Sequence, residues 1–379
     1  MPSRRAAAFA VTLFLLACGS PASGPAVVPG GPARCVEGDR CTPEDPCHLG
    51  RITCATGVAA CTGLPAIVDD GTPCGERLAC RAGRCAPVTG TVTEYPLPGP
   101  GRLPEAIAAA DDGSLWFTEG SGGVGWLTTA RAISELPVRP GAAVLPGIAV
   151  YRSGNVWFTD ASGGTVGRLS PSGQVTDFAL PGTAAEPRGI AVDGDGTAWF
   201  ADRRAGRIGA ITPFGAVSEI QYTAGLTYPD EVAVDSSGTI WFTDRMGRYG
   251  RIDPSGARLD ALLVAAGGHY GIALGPRGTV WCTETEGGKI FRIQPTGELT
   301  AFPLPSVTSR PYGIVAGPDG NLWFTEPGAN ALGRIGPDGG VTEFPLPGPG
   351  REPWGIAAGP DGLVWFTERA GNRIASIVP

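Results

Sequence analysis

The sequence predicts an all-β chain: a seven-bladed β-propeller of four-stranded blades, closed by strands from both chain ends and preceded by a small disulfide-rich module. Three observations carry this expectation. Sixty Gly and thirty-seven Pro, without a triplet period, imply many tight turns and few long helices. A tryptophan followed by Phe or Cys recurs at Trp116, Trp157, Trp199, Trp241, Trp281, Trp323 and Trp365, with spacings of 41, 42, 42, 40, 42 and 42 residues. Each unit also divides into short apolar segments separated by turn residues, with no 3.6-residue pattern.

In chain order, "MPSRRAAAFAVTLFLLACGS" sets Arg4 and Arg5 before an apolar stretch ending at Ala17. Residues 1–17 therefore read as a secretory signal, too short to persist as a membrane span. Leu-Leu-Ala-Cys resembles a bacterial lipobox, which makes Cys18 the candidate lipid anchor. An ordinary signal peptide cleaved nearby is the alternative, and both routes export the chain. The lipid would place it at the bacterial outer membrane or cell surface, touching membrane through the anchor only. Residues 18–34 are a Gly/Pro/Ala/Ser spacer.

Residues 35–87 hold Cys35, Cys41, Cys47, Cys54, Cys61, Cys74, Cys80 and Cys85 among few large apolar side chains. Covalent staples must replace a core there, so four disulfides are expected, with connectivity open. Zinc competes poorly, because there is no Cys-x-x-Cys pair and His48 is the segment's one histidine.

The propeller is expected over residues 91–379. One unit reads "RPYGIVAGPDGNLWFTEPGANALGRIGPDGGVTEFPLP". Its small first segment suits the crowded axis, Pro-Asp-Gly makes a hairpin turn, and the prolines of the fourth segment place that strand on the outer edge. The last unit stops after three strands, while "TVTEYPLP" at Thr91 to Pro98 is a fourth-strand phrase with no inner strands before it. The two ends should share one sheet, which removes an exposed edge.

Two rings follow from this register. The residues before the inner strands, Glu105, Pro146, Arg188, Asp230, Tyr270, Tyr312 and Trp354, should surround one mouth of the axial funnel. Their mixed chemistry fits a binding surface: an aromatic wall of Tyr270, Tyr312 and Trp354 facing Arg188 and Asp230, suited to a glycan, a peptide or a small cyclic ligand. The second ring, Glu119, Asp160, Asp202, Asp244, Glu284, Glu326 and Glu368, is uniform. Repeat architecture explains it, through bonds to backbone N–H groups or to the third-strand arginines Arg168, Arg251, Arg292 and Arg334. "DGDG" at Asp193 to Gly196 fills a hairpin slot, so turn chemistry accounts for it. Cys282 replaces a Phe and should be a buried, inert thiol. A formal charge of -7 with no Lys/Arg run excludes a nucleic-acid partner. The chain is expected to be monomeric.

The phrase "PxGIAxGPDGxLWFTExxxNxIGRIxPxGxVTEFPLP" is similar to the repeats of the virginiamycin B lyase (streptogramin lyase) family, over Thr91 to Pro379. That resemblance implies a seven-bladed propeller that opens a cyclic depsipeptide by eliminating across an ester C–O bond with Mg²⁺. It also implies a Glu-Pro-His-Gly phrase, a second acid fourteen residues after the His, and a further His in the preceding unit. Here "EPWG" puts Glu352 and Glu368 at the two metal-binding acids, with Trp354 and Tyr312 at the two His positions. "EPRG" offers Glu186 and Asp202, with Arg188 and Pro146 at the His positions. His269 lies one residue off the catalytic phase. Trp and Arg cannot abstract a proton near neutral pH, and Tyr needs a strongly lowered pKa to do so. The expected function is therefore non-catalytic ligand binding, with a rearranged Mg²⁺-dependent C–O lyase and a structural scaffold as the rivals.

Overall fold

The computed structural model describes the backbone of 48–55, 58–67, 73–75, 78–81, 84–87 and 89–379, leaving out 140, 142, 183, 222–227, 254–257 and 264–266; side chains are described from 89 onward, also without 221, 258–263 and 269. The chain divides into two units, Met1–Thr91 and Val92–Pro379. In the first, His48–Ala55 pairs with Val58–Ile67, and Pro73–Gly75, Leu78–Arg81 and Arg84–Pro87 form a second sheet in which Cys80 lies opposite Cys85. The expected signal segment and spacer, Cys18, Cys35, Cys41 and Cys47 lie outside the described residues, as do the sulfur atoms of the expected disulfides.

The second unit is a propeller of seven four-stranded antiparallel sheets. Blade 6 is representative: Ile314–Ala316, Leu322–Glu326, Ala331–Ile335 and Val341–Pro345, in that order from the axis outward. Blade 7 takes Pro353–Ala358, Val364–Glu368 and Arg373–Ile377 from the C-terminal end and Val92–Pro96 from the start of the unit, with Ile374 opposite Tyr95. The chain ends thus share one sheet, as the truncated last repeat requires.

Each blade is fastened at three levels. In the hairpins of blades 3, 4, 6 and 7 a turn acid accepts the Trp indole N–H, as from Trp199 to Asp193 at 2.9 Å, Trp241 to Asp235 at 3.0 Å and Trp323 to Asp319 at 3.1 Å, while blades 1 and 5 use the hydroxyls of Ser114 and Thr279. Asp193 also accepts the backbone N–H groups of Asp195 and Thr197, so its carboxylate serves the turn. In the core of blades 1, 2, 3, 4 and 6, the Phe after the Trp lies over a third-strand glycine, and in blade 7 Phe366 lies over Ala375. A Cβ on Gly333 would sit 2.1 Å from the Phe324 ring, so no larger residue fits there. Blade 5 reverses the sizes, with Cys282 on the second strand and Phe291 opposite it on the third. Cys282 is fully buried, and burial pushes its thiol up to about 12, consistent with an unreactive filler.

Between blades, the second-strand threonine acts as a relay. Thr325 Oγ1 accepts the Gly313 N–H at 2.9 Å within its own blade and donates to the Trp354 carbonyl of the next at 2.8 Å. Thr159, Thr243, Thr283 and Thr367 donate likewise to the carbonyls of Arg188, Tyr270, Tyr312 and Glu105. Blade 3 carries Ala201 at this position.

Candidate functional site

The relay holds Glu105, Arg188, Tyr270, Tyr312 and Trp354 at one end of the axis, and there the aromatic side chains meet. Tyr270 and Tyr312 have ring centroids 5.2 Å apart, and Tyr312 and Trp354 have centroids 4.0 Å apart, tilted by 39° and 31°. These three residues from blades 5, 6 and 7 form a continuous wall. Above it opens a cleft of about 330 Å³ that also touches Arg188, Arg203, Arg245, Arg310 and Glu352. Beneath it lies an axial cavity of about 180 Å³, lined by inner-strand residues together with Glu105 and Glu231. The wall borders both spaces.

Arg188 lies beside the wall with its Nε 3.5 Å from Asp230. Asp230 is also held by Arg203, whose Nε donates at 3.0 Å, while Arg203 Nη1 reaches Glu186 at 3.2 Å. Arg245 stacks 4.6 Å from the Tyr270 ring centroid and contacts its hydroxyl. Arg369 stacks 5.2 Å from the Trp354 centroid and lies 3.5 Å from Glu105 and 3.6 Å from Glu352. These cation–π contacts orient the rings and bring positive charge to the rim. The register reading missed Arg203, Arg245 and Arg369. Each stands one residue past a second-strand acid, and that offset was the available signal.

The titration of the site opposes base chemistry at the wall. Burial raises the Tyr312 phenol, and the Asp230 charge raises it further. Burial also raises Glu105, against the lowering effect of Arg369. Glu231 is a fourth residue the register reading missed. It stands where the other blades have Ala106, Gly147, Gly189, Gly271, Gly313 and Gly355. Its carboxyl lies against Gly189, where an added Cβ would meet Oε2 at 2.3 Å, in the interface with Ala201 in place of the relay threonine. Burial, then the neighbouring Asp230, pushes Glu231 up to about 8.

Glu352 and Glu368 do not share an environment. Glu352 faces the cleft and Arg369, whereas Glu368 is fully buried, 3.5 Å from Arg351 and raised to about 7 by burial and by Glu94. Among the described residues no group of three His, Cys, Asp or Glu is arranged to hold a metal ion. With a guanidinium on each acid, this pair does not fit Mg²⁺, which favours unpaired carboxylates in octahedral geometry. The other second-strand acids divide similarly. Asp160, Asp202 and Asp244 accept backbone N–H groups from Gly163, Ala205 and Met246. The third-strand arginines go elsewhere: Arg168 lies opposite Trp157 and stacks on it, and Arg292 does so on Trp281. Trp and the acid three residues later point to opposite faces of the strand, so an arginine paired with one cannot reach the other. His269 pairs through its backbone with Glu284 in blade 5; its side chain is outside the described residues.

The sequence profile of the virginiamycin B lyase family matches residues 54–252 and 256–379. The chain belongs to the virginiamycin B lyase family. The match begins at Cys54, earlier than the repeats at Thr91 to which the resemblance was confined. A streptogramin B lyase structure superposes with a TM-score of 0.72 at 33% identity, covering 76% of this chain and 96% of that one. Selenomethionine-substituted virginiamycin B lyase from Staphylococcus aureus gives 0.71 at 30% identity, covering 76% and 99%. A catalytically inactive form of the same enzyme, solved with quinupristin, matches equally well, at 0.71 and 30% over 76% and 99%. No curated protein matches the chain by sequence alone. As a virginiamycin B lyase family member, this chain keeps the seven-bladed wheel.

Proposed function

We propose that this family member is a non-catalytic binding module that seats the flat face of a glycan or a cyclic or linear peptide on the wall of Tyr270, Tyr312 and Trp354. The observation that carries this reading is the continuous ring stack, with centroids 5.2 and 4.0 Å apart, bordering a cleft with an arginine-rich rim. Aromatic faces supply contact area at little entropic cost, and rim arginines recognise carbonyl and carboxylate groups. The absence of base chemistry at the wall supports binding over elimination: Trp354 has no proton-accepting nitrogen, the Tyr312 phenol is raised, and Asp230 is tied to two guanidiniums. The module works outside the cell, carried through Cys18 on the outer membrane or cell surface. Loss of metabolic lipid labelling in Cys18→Ala tests the anchor.

A glycan and peptide array, with quinupristin as one spotted cyclic peptide, tests the binding. Hits that vanish with Trp354→Ala support it, and a blank array overturns it in favour of a scaffold. A second reading, a C–O lyase with rearranged groups, is favoured by Glu231, whose pKa of about 8 leaves some free base near neutral pH. Turnover of quinupristin that disappears in Glu231→Gln selects that reading.

A further inference from the structure

The outer end of each second strand carries a buried acid, and several blades add a second acid from the fourth strand. In blade 7, Glu368 and Glu94 are met by Arg351, 3.5 and 2.9 Å away. In blade 1, Arg102 lies 4.0 Å from Glu119 and 2.7 Å from Glu135. Blade 6 has the same acid pair in the same register, Glu326 and Glu343. It lacks the cation. Ser309 stands three residues before the mouth residue, where Arg102 and Arg351 stand in their blades, and Ala331 begins the third strand where Arg373 does in blade 7. No ion pair to either glutamate occurs among the described residues.

Both carboxyl oxygens of Glu326, Oε1 of Glu343 and the Ser309 hydroxyl are buried without a hydrogen-bond partner. Glu326 is 0% and Ser309 1% exposed, and the Ser309 hydroxyl lies beside the Glu326 carboxyl, where it opposes the raising effect of burial. Unpartnered buried carboxyl oxygens are costly unless something else satisfies them. We propose that blade 6 binds a hard divalent cation, Mg²⁺ or Ca²⁺, between Glu326, Glu343 and Ser309, in place of the guanidinium of blades 1 and 7. An all-oxygen donor set with two negative charges suits that class and excludes thiophilic metals. Without a cation, burial and the Glu343 charge raise Glu326 to about 7, so cation and proton compete for the pair.

The test is thermal unfolding of the full chain after chelation, with Mg²⁺, Ca²⁺ or an ionic-strength control. Wild type should gain about 3 °C at saturating divalent cation. Glu326→Gln should lose the gain while Glu352→Gln keeps it, which separates this site from the mouth. Ser309→Arg should restore the guanidinium, raise the metal-free Tm and abolish the response. No gain in wild type overturns the proposal, as does a gain that survives Glu326→Gln or disappears in Glu352→Gln. Should a variant fail to fold, calorimetric titration of chelated wild type with each cation decides, and absence of saturable heat overturns the site.

Discussion

Tyr312 and Trp354 lie with ring centroids 4.0 Å apart and planes inclined by 31°, each delivered by a different blade. Their backbones are fixed by relay threonines, so truncating either ring opens the wall without moving the strands. Trp354→Ala and Tyr312→Ala should each weaken ligand binding by about 10-fold or more, on the scale of about 1.4 kcal/mol per decade. Circular dichroism should remain native. Titration of any array hit against the two variants checks this.

The half-buried Glu231 sets a pH dependence of known sign. Its folded pKa of about 8 exceeds the ordinary carboxylate value, so the folded protein retains a proton that the unfolded chain has lost. Stability must therefore fall as pH rises from about 4.3 toward 8. Glu119, Glu326 and Glu368, each raised to about 7 chiefly by burial, act in the same direction over a narrower window. Urea midpoints should fall from pH 5 to pH 8, and Glu231→Gln should flatten the upper part of that decline.

Closure depends on Val92–Pro96 pairing with Arg373–Ile377. Deleting residues 91–98 would leave the Arg373–Ile377 edge unpaired and uncover the fully buried Ile374 and Ile377. The deleted form should aggregate or elute as higher oligomers in size-exclusion chromatography, whereas a chain keeping 91–98 should remain in solution.

Thr325→Val preserves shape but removes the hydroxyl between Gly313 and Trp354. A buried N–H and a buried C=O then lose their partner, a cost of about 2–4 kcal/mol. Equilibrium denaturation should report that loss, and Thr283→Val should behave similarly, since it links Gly271 to Tyr312.

The blades, their count and the shared terminal sheet were legible because period, turn residues and Pro placement are local properties written into every repeat. The wall was legible because register alone places Tyr270, Tyr312 and Trp354 on one rim. What stayed hidden depends on cross-strand facing and on departures from the repeat. Arg168 was expected on an acid, yet its partner across the ladder is Trp157, on the opposite face. Glu231 is visible only by asking which blade breaks the small-residue position, and Cys282 explains itself only once Phe291 is seen opposite. The unmatched pair Glu326 and Glu343 needs three-dimensional knowledge of which arginines reach which acids.

The relay threonine grips the main-chain carbonyl of the rim residue and ignores its side chain. Any amino acid can therefore occupy the rim without loosening the wheel, and assembly is insulated from recognition. A propeller fastened in this way can change the side chains at Tyr312 and Trp354 while its architecture persists, which makes the rim a place where new specificities arise by single substitutions.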